Sequence, residues 1–171
     1  MGDAKTLKKG SGNHMTKTDD KAVEFVRKAF TSLWPVHLSS FNKLLIQLRT
    51  AFDGDFDLML VLAVIGERTR PESWQPEPKT YRQLTRRSGD QHLQVAINIQ
   101  SVAEYSGIPR ETVRRKVRAL QEKGWVERDG EGLLTISSSA AADLEQSTMH
   151  SIRYLAAISS AIQAINRDKS A

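Results

Sequence analysis

The 171 residues contain no cysteine. That excludes disulfides and thiolate metal sites and accords with a cytoplasmic location. Long apolar runs are also missing. The longest, Leu58–Ile65, is far too short to span a bilayer. Met1–Asp20 carries lysines but no apolar stretch, so it does not read as a secretory signal, and residues 1–18 are expected to be a flexible tail. There is no phosphate-binding glycine loop and no nucleophile elbow. The four histidines, His14, His37, His92 and His150, are scattered without ligand spacing. Asp53, Asp55 and Asp57 are spaced like calcium ligands. However, the glycine such a loop needs falls at Leu58 and its closing carboxylate at Val64. Those acids are better read as cap and dipole partners of the helix that follows. These absences predict a protein that is not an enzyme and uses no metal or other cofactor.

What is present is an ordinary globular composition, 39% hydrophobic and 26% charged, sufficient for a core. The formal charge of +5 and pI near 9.6 permit nucleic-acid binding without demonstrating it. The position of the cations therefore matters more than their number.

Apolar periodicity predicts a first helix from Asp19 or Asp20 to about Trp34, stopped or kinked by Pro35. A second follows over Ser39–Phe52. Phe56–Glu67 is apolar nearly all round, as expected of a helix central to a core or a subunit interface. Residues 70–94 form a basic connection with Pro71, Pro76 and Pro78. Within it Lys79, Arg82, Arg86 and Arg87 are candidate phosphate contacts. Val95–Ile99 is a candidate short strand. Two helices, Ser101–Ser106 and Arg110–Lys123, are expected to meet at a tight turn. Trp125–Arg128 and Leu133–Ile136 flank Asp129-Gly130-Glu131-Gly132, a hairpin signal. A long helix, Ala140–Arg167 with Ser139 as its cap, carries the stripe Leu144, Thr148, Ile152, Leu155, Ile158, Ile162 and Ile165. Trp34, Trp74 and Trp125 are core or loop anchors. Trp34 and Phe41 are also candidates for lining a small-molecule pocket.

The chemistry concentrates in residues 100–128. Gly107 permits the left-handed backbone of a sharp inter-helix turn, and Pro109 pre-sets the next helix. Val113, Val117 and Leu120 share one face of that helix. Glu111, Arg114, Arg115 and Arg118 share the opposite one. Arginine offers a planar fork of donors to guanine or phosphate. Arg110 and Thr112 lie in the first turn, the part that enters a groove. Glu111 either accepts from cytosine or orients a neighbouring arginine.

The run from Ser101 to Leu120 (SVAEYSGIPRETVRRKVRAL), followed by Glu122-Lys123-Gly124-Trp125-Val126, resembles winged helix-turn-helix transcriptional regulators. The small residue Ala103, the turn glycine, the Thr-Val-Arg run and the Leu-x-x-x-Gly ending all match that pattern. Ser106 stands where a larger apolar residue is usual, and the wing tip carries Asp129 and Glu131 beside a single cation, Arg128. The order of helices is similar to that of MarR-type regulators, in which outer helices build a two-fold dimer.

The resemblance implies a mainly α fold: a winged helix-turn-helix (95–137) with a small β-hairpin wing. N-terminal helices (19–69) and a long C-terminal dimerisation helix (138–171) flank it. It further implies double-stranded DNA as partner, read by Arg110, Glu111, Thr112, Arg114, Arg115, Arg118 and Arg128. It also implies a homodimer sealed by Leu144, Ile152, Leu155, Ile158, Ile162 and Ile165. Whether an effector ligand acts is left open. Two other functions fit the sequence: a winged helix used to bind protein, motivated by the acidic wing tip, and DNA binding in replication or plasmid maintenance.

Overall fold

The computed structural model describes residues 17–69 and 96–168. Lys79, Arg82, Arg86, Arg87 and Trp74 lie outside the described residues. The chain divides into two compact units, Met1–Ser39 with Ala157–Ala171, and Ser40–Ala156.

The first unit contains α1 (Lys17–Lys28), the start of α2 (Phe30–Ala51) and the end of α7 (Glu145–Asp168). Asp19 and Asp20 sit in the first turn of α1, where they face the helix dipole rather than cap it. The expected stop at Pro35 does not occur. The chain turns at Ala29, and α2 runs through the proline. A proline removes one ladder bond and crowds the carbonyl four residues back. Here that carbonyl belongs to Thr31, in the first turn of α2, just after the irregular residue, where the backbone has room to adjust. Ala29 and Leu33 are buried, whereas Val23, Val26, Phe30, Trp34 and Leu38 are exposed. Trp34 stacks on Phe30 at 5.0 Å between ring centroids and tilts over His37.

The second unit is built around α3 (Phe56–Arg68), α4 (Ile99–Ser106), α5 (Arg110–Glu122) and a two-stranded antiparallel sheet. The strands are β1 (Val126–Arg128) and β2 (Leu134–Ile136), paired Val126 to Ile136 and Arg128 to Leu134. The molecule is thus mainly helical, with a small hairpin, a helix-turn-helix and a long C-terminal helix.

The core collects Leu58, Val61, Leu62 and Ile65 from α3 and Val102 and Ala103 from α4. Val113, Val117 and Leu120 of α5 and Leu134 of β2 complete it. Burying one such side chain stabilises by about 1.5–3 kcal/mol. The apolar segment 56–67 is therefore the central helix, though Phe56 and Leu60 remain exposed.

The strand expected over Val95–Ile99 shrinks to one bridge. Ile97 exchanges backbone hydrogen bonds with Leu134, and Asn98 already caps α4 by accepting from the Ser101 N–H at 2.9 Å. The C-terminal helix also starts differently. Ser137, not Ser139, is the cap of a short helix α6 (Ser138–Asp143), and α7 begins after a break at Leu144. Ser137 continues directly from β2 in extended conformation, and its N–H still donates to the Trp125 carbonyl. The strand thus delivers it to the cap position, while Ser139 turns its hydroxyl to the Gly124 carbonyl at 2.7 Å.

Candidate nucleic-acid interface

The turn between α4 and α5 forms for local reasons. Gly107 closes α4 at φ 71°, with its N–H donating to the Ala103 carbonyl. A Cβ there would meet no atom within 4 Å, so the requirement for glycine is conformational and not steric. Ser106 replaces the usual apolar residue with a polar staple. Its hydroxyl accepts from the Ile108 N–H at 3.2 Å, which frees Ile108 to bury in the turn.

Helix α5 starts at Pro109 without a side-chain cap and ends in a defined motif. Gly124 at φ 72° donates to the Gln121 carbonyl, and Trp125 donates to the Leu120 carbonyl at 2.9 Å. This is the paired closing bond set of a Schellman motif, with Leu120 and Trp125 both buried at its apolar contact. The Trp125 indole then donates to Asp143 at 2.9 Å and meets Phe52 edge-on. The end of α5, the start of the wing and α6 are thereby held by one side chain.

Between these ends α5 presents two faces. Val113, Val117 and Leu120 are buried, and Arg110, Glu111, Arg114, Arg115 and Arg118 are exposed. Thr112 is half-buried in the first turn. At about 100° per residue the exposed side chains span a single arc. Gln121 is exposed on that same arc, one turn beyond Arg118. It was not among the expected readers, although helical spacing alone places it there. Glu111 pairs with Arg114: one carboxylate oxygen accepts from Nε at 3.1 Å and from Nη2 at 2.8 Å.

Lys116 is different. It lies at the boundary between the faces, and its ammonium donates to Asp55 at 2.6 Å with only 14% of the side chain exposed. The other Asp55 oxygen accepts from the Leu58 N–H at 2.9 Å, capping α3. One carboxylate therefore caps the central helix and ties α5 to it. Burial pushes the Asp55 carboxyl up. The Lys116 and Leu58 hydrogen bonds, with the charges of Lys116 and Arg115, outweigh that and hold it below its ordinary value of 3.8.

The wing loop is organised by its first acid. Asp129 accepts from the N–H groups of Glu131 and Leu133 at 2.9 and 2.8 Å, and its own N–H donates to the Leu133 carbonyl. Its negative charge is thus explained by turn formation, which leaves Glu131 as the outward-facing acid of the tip. Arg128 lies over Gly132, where a Cβ would come within 3.0 Å of its guanidinium.

The stripe on the C-terminal helices is used unevenly. Leu144 packs against the core of the second unit, while Ile152 and Leu155 are exposed there. Ile158, Ile162 and Ile165, in the first unit, are half-buried. Phe41 packs on Tyr154 with ring centroids 5.8 Å apart. Among the described residues no helix is long and apolar enough to cross a membrane.

Residues 81–141 match the family model of the Crp-like helix-turn-helix domain. The matched stretch takes in α4, the turn, α5, the hairpin and the first turn of α6. It is about a third of the chain, 61 of 171 residues. The match concerns this stretch and supports a DNA-binding helix-turn-helix there. Neither the comparison with curated proteins nor that with solved structures gives a match.

Proposed function

We propose that the chain is a sequence-specific transcriptional regulator that binds double-stranded DNA as a homodimer, each subunit laying Arg110–Arg118 in a major groove. The observation that carries this reading is the exposed arc of Arg110, Arg114, Arg115 and Arg118 on a helix whose opposite face is fully buried. Phosphate contacts supply most of the affinity, and arginine contacts to base edges supply the sequence preference. Asp55, at the cap of α3, holds α5 from behind and Trp125 holds its end, which supports a firmly presented reading face.

Two-fold symmetry would place the two half-sites about one helical turn apart. The MarR-like order of elements, helices before the winged module and a long helix after it, agrees with a dimer. So do Ile152 and Leu155, 38% and 63% exposed on α7. Cytoplasmic location follows from the same reading. Arg128 is a weaker reader than the α5 arginines because it is folded back over Gly132.

Titrating a random duplex across a salt series tests the binding mode. With about two arginines per subunit on phosphates, log K should fall against log salt with a slope of about −4. A flat dependence would reject it. The dimer is tested separately in the full chain. Ile152→Glu with Leu155→Glu should give a monomer by sedimentation, with the fold intact because both positions are exposed. An unchanged dimer would remove α7 as the interface.

A further inference from the structure

We propose that Glu111 is a positioning residue. It holds the Arg114 guanidinium so that its free fork meets a guanine, and it thereby sets discrimination at the base pair Arg114 reads. This inference rests on the DNA-binding reading of α5.

The geometry of the pair is specific. Both Nε and Nη2 of Arg114 donate to the same Glu111 oxygen, at 3.1 and 2.8 Å. A guanidinium has five N–H groups. This side-on pairing uses one on Nε and one on Nη2. Both N–H groups of Nη1 and the second of Nη2 remain, and one from each nitrogen forms the end-on fork. Two parallel donors are what guanine O6 and N7 accept in the major groove. An arginine already held loses less freedom when it binds, and holding it in one direction penalises every base that does not present that acceptor pair. Among the described residues, Arg110, Arg115 and Arg118 make no side-chain hydrogen bond or ion pair, so Arg114 alone is preset.

Two simpler roles for Glu111 predict something else. An acid in the first turn favours the helix dipole, and an exposed pair three residues apart adds a little stability. With the side chains 62% and 73% exposed, both effects are small, and neither touches base preference. Direct acceptance from a cytosine would touch it, but independently of Arg114. A carboxylate on a face that approaches phosphates also weakens binding to every sequence, so Glu111 opposes affinity while serving selectivity.

The test uses the full chain as wild type, Glu111→Gln, Arg114→Ala and the double variant. Bound sequences are selected from a random duplex pool, and affinity for an unrelated duplex is measured alongside. Glu111→Gln should bind the unrelated duplex about threefold more tightly, because a charge facing phosphates is gone. It should lose about five- to tenfold discrimination at one base pair per half-site. Arg114→Ala should lose preference at that same base pair, and the double variant should match Arg114→Ala. Unchanged discrimination in Glu111→Gln would overturn the proposal. So would a loss at a different base pair, or a Glu111 effect that persists without Arg114. Failure of the wild type to bind any duplex would overturn the DNA-binding reading itself, a separate result.

Discussion

Replacing Arg114 and Arg115 together by alanine is expected to weaken duplex binding by at least about 1,000-fold while the protein stays folded. Each arginine contact to a base edge contributes about 1–3 kcal/mol, and a dimer loses four of them. The fold should tolerate the change because both side chains are exposed and alanine has the highest helix propensity. Among the described residues the side-chain ion pair removed is the exposed one with Glu111, worth a few tenths of a kcal/mol or about 0.5 at most. Electrophoretic or fluorescence titration reads the affinity, and thermal unfolding reads the fold. Retained affinity in a folded double variant would remove α5 as the reading face.

Asp55→Ala should be among the most destabilising changes available at a position that is not in the apolar core. It removes the cap of α3, worth about 1 kcal/mol. It also strands the Lys116 ammonium, which is mostly buried against the body of the domain. Removing one partner of a fully buried pair costs about 3–5 kcal/mol, and this pair is partly solvated, so about half of that applies. The sum is about 3 kcal/mol, or roughly 6–12 °C in Tm for a protein of this size. Asp55→Asn separates the two contributions. Asparagine keeps a capping oxygen but carries no charge, so it should lose only about 1–2 kcal/mol.

The pH dependence has a defined sign. The folded-state value of Asp55 is lowered, so its contribution is complete above the ordinary 3.8 and is lost as pH falls through the lower folded value. The stability gap between wild type and Asp55→Asn should therefore be constant near neutrality and close in acid below about pH 4. A gap that widens in acid, or equal stability of all three proteins, would contradict this role of the Asp55–Lys116 pair.

The parts legible in the sequence are those with local causes. Gly107 and Pro109 mark the turn, Gly124 marks the end of α5, and Asp129 to Gly132 mark the wing. Helical spacing alone separates Val113, Val117 and Leu120 from the arginines. What could not be read depends on distant partners or on competition between equivalent residues. Lys116 resembles any other cation of α5, and its partner Asp55 lies 61 residues away. Three consecutive serines, 137–139, are equally good caps, and only the pairing of β2 with β1 selects Ser137. Pro35 has the chemistry of a helix stop, but the turn at Ala29 precedes it. The acidic wing tip invites a protein-binding reading from composition. Asp129 instead spends its carboxylate on the loop's own N–H groups.

The central claim is that α5 of the Crp-like module reads guanines from the major groove in two symmetric half-sites. The most direct measurement is interference by guanine N7 methylation on duplexes selected from a random pool. N7 lies on the major-groove edge and accepts one arm of an arginine fork. Bound duplexes should be depleted of methylated guanine at two clusters about one helical turn apart, and Arg114→Ala should erase one guanine from each cluster. Equal methylation in bound and free DNA would contradict the claim.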